Sequence, residues 1–197
     1  MIEAEFKLLQ GEFQLSASFH DEGITLLTGE NGAGKSTFLN ALAGFIPLQS
    51  GIIRINGRDI TEAEVQKRGI VHISPGSFIG NLSVDRHIAF PGKPDGNSER
   101  IRELKESFGI DFNGKVGNLS MGQKIRVSLA TAFYKRPEAV LIDEAISNLS
   151  DPFVVMDEVR KLSISLKTDV ILVAHSLPDI RADHSYSIAN GIMQRAF

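Results

Sequence analysis

Residues 29 to 37 read Gly29-Glu30-Asn31-Gly32-Ala33-Gly34-Lys35-Ser36-Thr37, which fits the phosphate-loop pattern G-x-x-x-x-G-K-[ST]. The apolar run 24–28 before this stretch predicts a buried strand. The run 38–43 after it has a helical pattern that Gly44 ends. Strand, loop and helix in this order are the context that the motif requires. The stretch therefore predicts a backbone cradle for phosphate groups.

The residue types of this loop suit a nucleotide. Glycines let successive backbone N–H groups turn toward phosphate oxygens, and the start of the following helix adds the positive end of its dipole. Lys35 supplies a mobile cation for the β- and γ-phosphates, and Ser36 offers a hydroxyl to the Mg²⁺ that accompanies the nucleotide. The alternative is a glycine-rich turn with an exposed lysine. The flanking strand and helix favour the phosphate cradle.

Length and composition limit the class of protein. The chain has 197 residues, which suits one α/β domain, 1–197, and not two full domains. Its net charge of −3 and the absence of a basic block predict no nucleic-acid partner. Without cysteine there is no disulfide framework, which agrees with a reducing cytosol. The start of the chain does not resemble a signal peptide, and no apolar run approaches the roughly 20 residues that cross a bilayer. We therefore expect any membrane role to come from a partner.

The first part of the chain predicts an antiparallel side sheet. Apolar and polar residues alternate in 2–9 and 13–19, on either side of Gln10-Gly11-Glu12, which is typical of a hairpin. Residues 51–57 alternate in the same way and end in a turn pair. We expect these three strands to form a small sheet beside the nucleotide.

The rest of the chain predicts an α/β fold with a mostly parallel, doubly wound sheet. Buried strands are expected at 70–74, 139–143, 169–174 and 186–189, and helices at 120–135 and 152–166. Strands that alternate with helices form parallel sheets, whose ligands bind at the carboxyl ends of the strands. The phosphate loop and Asp143 both fall at such ends.

A small, partly helical insertion is predicted between these parts. Loop signals concentrate in 77–96, which we expect to be a mobile loop. Glu99 to Phe108 has the pattern of a short amphipathic helix. The insertion covers 75–118, and with the next helix it gives a helical subdomain of about 75–135.

A second motif follows in Leu119-Ser120-Met121-Gly122-Gln123. It is similar to the signature L-S-G-G-Q of the ATP-binding-cassette (ABC) ATPases, with methionine in place of one glycine, and with the phosphate loop it makes nearly the whole chain resemble the nucleotide-binding subunits of ABC transporters. On its own, Ser120-x-x-Gln123 is also a capping box that starts a helix. In the family the same helix start holds the γ-phosphate of ATP bound to the other subunit. The resemblance therefore implies that Ser120, Met121, Gly122 and Gln123 act in trans.

Two further positions match the family. Residues 140–144 resemble its Walker B element, which implies that Asp143 holds Mg²⁺ through water and that Glu144 is the catalytic base that polarises the attacking water. His175 falls where the family has its switch histidine, which touches the γ-phosphate. Paired acids after a strand are often only a turn, and a lone loop histidine is usually inert, but their order after a phosphate loop favours the functional interpretation. The other histidines, His20, His72, His87 and His184, are interpreted as structural.

The chain also departs from the family. Aligned without gaps, the glutamine of the Q-loop falls on Ser74, a shorter candidate for the Mg²⁺ side of the site. Ala145 replaces the proline that usually follows the catalytic glutamate. In the D-loop, Ser150 stands at the usual aspartate position and Asp151 comes one residue later. Phe13 and Phe6 are the candidates for stacking on adenine, and Phe13 is favoured.

The resemblance implies a function and partners. It indicates an ATPase subunit that binds ATP and Mg²⁺, closes as a homodimer or heterodimer, and powers a transporter by converting ATP and water to ADP and phosphate. It would be cytoplasmic and peripheral, held at the inner face of the cell membrane by a separate transmembrane permease subunit. The cargo and the direction stay open, since the first hairpin and loop resemble molybdate-type importers while the brevity resembles small export cassettes.

Two alternatives remain. One is a non-transport ABC ATPase, an assembly, translation or repair factor, although neither long coiled-coil insertions nor a second cassette is present. The other is an ordinary phosphate-loop kinase or GTPase. The signature at Ser120 argues against that class, and no guanine-reading N-K-x-D pattern occurs.

Overall fold

The computed structural model describes residues 1–92, 97–174 and 181–196. Within these ranges there are ten strands: β1 (Ile2–Gln10), β2 (Phe13–Asp21), β3 (Ile24–Thr28), β4 (Ser50–Ile55), β5 (Arg58–Asp59), β6 (Ile70–Ile73), β7 (Ala139–Asp143), β8 (Asp169–Val173), β9 (His184–Ala189) and β10 (Ile192–Arg195). Five α-helices are described: α1 (Lys35–Ala43), α2 (Val84–Ala89), α3 (Ser98–Ser107), α4 (Met121–Tyr134) and α5 (Pro152–Leu166). Short 3₁₀ turns lie at Val65–Lys67, Val116–Asn118 and Ile146–Asn148.

The strands form one mixed sheet in the order β5-β4-β1-β2-β10-β9-β3-β8-β7-β6. Strand β3 pairs in parallel with β8 and β9, and β7 pairs in parallel with β8 and β6. The carboxyl ends of these strands therefore meet at one edge of the sheet. This confirms the predicted α/β class, and it places the loop after β3 and the acids after β7 at the same edge.

The three antiparallel strands of the predicted side sheet pair with one another, and the structure shows that they are continuous with the parallel strands. Strand β1 pairs with β2 across the predicted hairpin and with β4 on its other side. Strand β10, which we did not predict, pairs antiparallel with β9 and meets β2 in parallel at Ile192 and Ser16. The short strand β10 thus joins the antiparallel strands around β2 to the parallel strands around β3 in a single sheet.

Two apolar cores lie on opposite faces of the parallel strands, as the alternation along β7 shows. Ala139 and Leu141 belong to the core that contains Phe38 and Leu39 of α1. Val140 and Ile142 belong to the core formed with α4 and α5. Strands buried on both faces need continuous apolar sequences, which explains why 139–142 carries no polar residue.

The insertion packs on α4. In the predicted loop 77–96 the structure contains α2, so that prediction was wrong for residues 84–89. His87 of α2 is buried and hydrogen-bonds through Nδ1 to the Thr131 hydroxyl at 2.8 Å, while its Nε2 accepts the Ile79 N–H at 3.0 Å. The aromatic rings of Phe108 and Phe133 stack with centroids 6.1 Å apart. These tertiary contacts stabilise the insertion, and the local loop signals in its sequence do not predict them.

Among the helices of the described ranges, none has both the length and the apolar character needed to cross a bilayer.

Candidate active site

The loop between β3 and α1 has the geometry of a phosphate cradle. Gly29 and Gly34 have φ angles of 143° and 113°, in the region that favours glycine. A Cβ at Gly29 would lie 2.3 Å from the Ile188 carbonyl oxygen, so no larger residue fits there without a shift of backbone. Gly34 stands at the N-cap of α1 and has no side chain with which to cap it. The first N–H groups of α1 therefore favour an external anion.

Lys35 lies folded back over this loop. Its ammonium group donates to the carbonyl oxygens of Gly29 and Glu30, both at 2.8 Å. The residue is only 5% exposed although it carries a charge. The hydrogen bonds to carbonyl oxygens hold the cation at the mouth of the cradle, where phosphate oxygens would be stronger acceptors.

Phe13 stands between two cavities that border the loop. A cavity of about 740 Å³ is lined by Phe13, the residues 28–33 and the residues 187–190 at the end of β9, among others. A second cavity of about 250 Å³ is lined by Phe13, Lys35, Ser36, Thr37 and Glu144, among others. The Phe13 ring lies so near Gly34 that a Cβ there would come within 2.7 Å of it.

The other aromatic candidate, Phe6, has a different role. It is 3% exposed and stacks on Phe38 with centroids 5.9 Å apart. Phe6 is therefore a core residue, and the structure places Phe13 alone of the two beside the phosphate loop.

The acid pair lies at the end of β7. Asp143 is mostly buried, and its Oδ1 atom has no hydrogen-bond partner among the described residues. Glu144 is exposed, has a φ angle of 54°, and donates its backbone N–H to the Val173 carbonyl oxygen at 3.2 Å. This left-handed conformation turns the chain sharply after the strand, and Glu144 lines the 250 Å³ cavity together with Lys35 and Ser36.

His72 of β6 is the neighbour of Asp143 that the sequence interpretation missed. Its Nε2 atom lies 4.0 Å from Asp143 Oδ2 and is buried without a hydrogen-bond partner in the described ranges. Burial lowers the pKa of His72, while the Asp143 carboxylate acts in the opposite direction. The sequence could have indicated this contact. Both strands were predicted, and in neighbouring parallel strands alternate residues lie on the same face, which brings His72 near Asp143.

The signature segment forms the predicted helix start. Ser120 Oγ accepts the Gln123 backbone N–H at 3.3 Å, and Gln123 Oε1 accepts the Ser120 backbone N–H at 3.0 Å. This is the capping box expected from the sequence. Gly122 lets α4 approach the turn after Glu144, since a Cβ there would lie 3.2 Å from the Asn148 carbonyl oxygen. Met121 is 41% exposed, so the residue that departs from the family pattern points outward.

The positions that depart from the family have local partners. The Ser77 hydroxyl accepts the Ser74 backbone N–H at 2.9 Å and lies 3.0 Å from the Ser74 hydroxyl. Ser150 donates its hydroxyl to Asp151 at 3.3 Å, and Asp151 forms an ion pair with Arg126 of α4. Both segments are thus held by side chains close to them.

The structure brings most of the predicted residues to the carboxyl edge of the sheet. Lys35, Ser36, Thr37, Phe13 and Glu144 share one cavity, and Asp143 adjoins Glu144. Ser120 caps the start of α4, and its hydrogen bonds are to Gln123 of the same helix. His175 lies outside the described residues.

A phosphate loop after β3, one of the parallel strands of the mixed sheet, with an acid pair at the end of another parallel strand, defines a P-loop nucleotide-binding protein. Within this class the chain belongs to the ABC transporter family, whose model matches residues 13–147. The family hydrolyses ATP.

Several relatives are ATP-binding subunits of importers. The chain is 33% identical over 201 residues to a molybdate/tungstate import ATP-binding protein of Archaeoglobus fulgidus, a match that covers 96% of this chain and 83% of the relative. It is also 33% identical over 196 residues to a molybdenum import ATP-binding protein of Rhodobacter capsulatus. That match covers 91% of this chain and 53% of the relative, so the chain spans about half the length of this second protein.

Solved structures show the same fold. An ATP-binding subunit of an ABC transporter superposes with a TM-score of 0.84 at 20% identity, over 100% of this chain and 90% of that one. A dimeric post-hydrolysis state of an ATP-binding cassette bound to ADP and Pi gives a TM-score of 0.81 at 20% identity, over 99% of this chain and 98% of the other.

Proposed function

We propose that this chain is the ATP-hydrolysing subunit of an ABC transporter. One observation carries the proposal: Lys35, Ser36 and Glu144 line the same cavity beside the phosphate loop. A cation for phosphate, a hydroxyl for a metal ion and a carboxylate for water are the groups that hydrolysis of a nucleoside triphosphate requires.

Residues 29–37 bind the phosphates of ATP in this proposal. The backbone N–H groups from Gly29 to Thr37 surround the β-phosphate, and Lys35 exchanges its two carbonyl partners for β- and γ-phosphate oxygens. Phe13 stacks on adenine from the hairpin, where its ring borders both cavities. Base stacking on an aromatic ring suits a residue that is rigid and partly exposed.

The residues at the end of β7 fit Mg²⁺. In the described ranges no group of three or more acidic, histidine or cysteine side chains is placed to hold a metal. Mg²⁺ needs only one or two carboxylates when phosphates supply further oxygens. Asp143, whose buried Oδ1 has no hydrogen-bond partner among the described residues, and the hydroxyl of the exposed Ser36 would hold it, with Ser74 as the third candidate. When bound, Mg²⁺ neutralises the charge that develops on the phosphate oxygens.

Glu144 acts on the attacking water. Its carboxylate accepts a hydrogen bond from the water and directs the oxygen in line with the bond that breaks. His175 contacts the γ-phosphate and holds the same water in place. Since the transition state needs little covalent help from the protein, positioning and charge supply most of the rate.

ATP closes two copies, or one copy and a similar subunit, head to tail. The start of α4 then presents Ser120, Met121, Gly122 and Gln123 to the γ-phosphate on the partner, and the helix dipole favours that anion. Hydrolysis reopens the dimer. A separate permease subunit converts this cycle to transport and holds the ATPase at the inner face of the membrane. The import names of the relatives support import as the direction.

Two substitutions test the proposal. Lys35→Ala should abolish tight binding of a fluorescent ATP analogue, since the phosphates lose their mobile cation. Glu144→Gln should bind ATP normally, lower the turnover number by at least about 100-fold, and accumulate as an ATP-bound dimer on a sizing column.

Lys67→Ala and Glu64→Gln change an exposed ion pair on the surface and should leave binding and turnover as they are. Unchanged affinity in Lys35→Ala would contradict the phosphate-loop assignment. Normal turnover in Glu144→Gln would move the base elsewhere, and a monomeric ATP-bound Glu144→Gln would contradict closure by ATP.

A further inference from the structure

His72 and Asp143 face each other on adjacent strands. The strands β6 and β7 pair in parallel with His72 opposite Leu141. Asp143 follows Leu141 by two residues, so alternation places its side chain on the same face as that of His72. This face carries Leu141 and the apolar side of α1. It is the face on which the phosphate-loop helix lies.

Both side chains have a polar atom for which the described residues offer no hydrogen-bond partner. His72 Nε2 and Asp143 Oδ1 are buried and make no hydrogen bond within the described part of the chain, and Nε2 lies 4.0 Å from the other carboxylate oxygen, Oδ2. Each side chain is 13% exposed. Buried polar atoms without partners cost free energy, so the position of Asp143 Oδ1 at a strand end indicates a partner supplied by a ligand, while the nearest acceptor for His72 Nε2 is Asp143 Oδ2.

We propose that His72 is a positioning residue for Asp143, whose carboxylate it orients toward bound Mg²⁺. The neutral ring donates its Nε2–H to Oδ2, directly after a small side-chain rotation or through one water, and leaves Oδ1 for the metal and its water shell. Groups that hydrogen-bond to metal ligands commonly fix the orientation of those ligands. The inference rests on the proposed function, because it takes Asp143 as the metal-binding acid.

Packing alone is the simpler role for His72. Its ring lies against Phe45, with centroids 5.9 Å apart and planes at 56°. Methionine has a similar length and would keep this contact but has no donor. Glutamine places an amide N–H near the position of Nε2. The pair of variants therefore separates packing from hydrogen bonding.

The test is a Mg²⁺ titration of fluorescent ATP analogue binding in wild type, His72→Met and His72→Gln. We expect His72→Met to raise the Mg²⁺ concentration at half-saturation by about tenfold. His72→Gln should stay within about threefold of wild type. In EDTA all three should bind the nucleotide equally, since the phosphate loop is unchanged. His20→Met, a change of an exposed histidine on β2, should match wild type.

Each other outcome overturns a defined part of the inference. A His72→Met midpoint equal to wild type, or an equal shift in His72→Met and His72→Gln, would make His72 a packing residue. If His72→Met does not fold, His72→Leu serves as the donor-free variant with the same expectation. Wild-type binding that ignores Mg²⁺ would contradict the proposed function itself, whereas a normal Mg²⁺ response that His72 does not influence contradicts only the positioning role.

Discussion

Arg68 donates a hydrogen bond to the Leu42 carbonyl oxygen at 3.0 Å, and so a buried guanidinium closes the end of the phosphate-loop helix. The same side chain donates to the carbonyl oxygens of Ala41, Ala63 and Thr61 at 3.2, 3.0 and 2.7 Å. Arg68 is 6% exposed, and burial lowers its pKa while Glu62 acts in the opposite direction. A helix end leaves carbonyl oxygens without partners, and Arg68 supplies donors for them.

Arg68→Met should therefore destabilise the fold. The change keeps the apolar stem but removes the donor to the buried Leu42 carbonyl oxygen and the donors to the partly buried carbonyl oxygens of Thr61 and Ala63. This loss costs about 2–4 kcal/mol in the free energy of unfolding. Urea denaturation measures this. Arg54→Met, on a side chain 43% exposed with an ion-pair distance of 3.7 Å to Glu3, is the matched control and should change stability by less than about 0.5 kcal/mol. Equal stability of the two variants would contradict the anchoring role.

Local sequence patterns could predict the candidate site because its motifs are local. The loop 29–37 and the cap at Ser120 each need only neighbouring residues to form, and the structure has both where the sequence predicted them. Arg68 is different, because two of its four acceptors, the carbonyl oxygens of Leu42 and Ala41, lie 26 and 27 residues away in the chain. The periodicity of apolar residues along the sequence does not indicate contacts between residues so far apart.

Strand β10 and helix α2 were missed for related reasons. Residues 192–195 alternate too briefly to indicate a strand, and β10 exists because it pairs with β9 and meets β2. Helix α2 has only six residues among loop signals, and its buried His87 depends on Thr131 of α4. Short elements are stabilised by tertiary contacts rather than by propensity.

The Arg126–Asp151 ion pair predicts a pH-dependent stability. The hydrogen bond from Arg126 lowers the pKa of Asp151 below 3.8, against the opposing effect of burial. A lowered pKa means that the pair stabilises the fold above about pH 4, and that this contribution is lost as the pH falls through the lower, folded-state pKa. The Asp151 side chain is 40% exposed, so we expect the contribution to be below about 1 kcal/mol.

Asp151→Asn should thus be less stable than wild type at pH 7, and the difference should shrink below pH 4. Urea midpoints across this pH range measure it. Asp111→Asn, which replaces an exposed aspartate of the insertion, is the control variant. A difference for Asp151→Asn that persists undiminished at pH 3 would mean that the amide disturbs packing rather than charge.

Ser120→Arg tests the role of the signature in trans. The substitution places a bulky cation at the start of α4, so an isolated subunit should still bind ATP through Lys35 while ATP-dependent dimers disappear. Nucleotide titration and sizing chromatography report the two properties. The variant also loses the cap, which costs about 1 kcal/mol. Ser120→Thr keeps a capping hydroxyl and should retain the dimer. Loss of nucleotide binding by the isolated Ser120→Arg subunit would show that Ser120 serves its own site.

Ser74 is the departure with the clearest local explanation. Its backbone N–H and its hydroxyl both contact the Ser77 hydroxyl, at 2.9 and 3.0 Å. Ser77 in turn accepts the Ser128 hydroxyl on its carbonyl oxygen at 2.8 Å, which ties the turn to α4. Ser77 therefore makes most of the hydrogen bonds that hold the turn after β6. We expect the turn to keep its conformation without the Ser74 hydroxyl.

Three substitutions then separate structure from metal binding. Ser74→Ala should cost little in Mg²⁺-dependent ATP binding, because a water can carry the contact that a short hydroxyl makes. Ser74→Gln should lower the Mg²⁺ concentration at half-saturation or raise basal ATPase activity, since the longer carbonyl reaches the metal directly. Ser77→Ala should lower stability by about 1 kcal/mol, because the Ser74 N–H loses its acceptor. A severe loss of Mg²⁺-dependent binding in Ser74→Ala would refute the bridging water, and no response in either Ser74 variant would make Ser74 only the end of a strand.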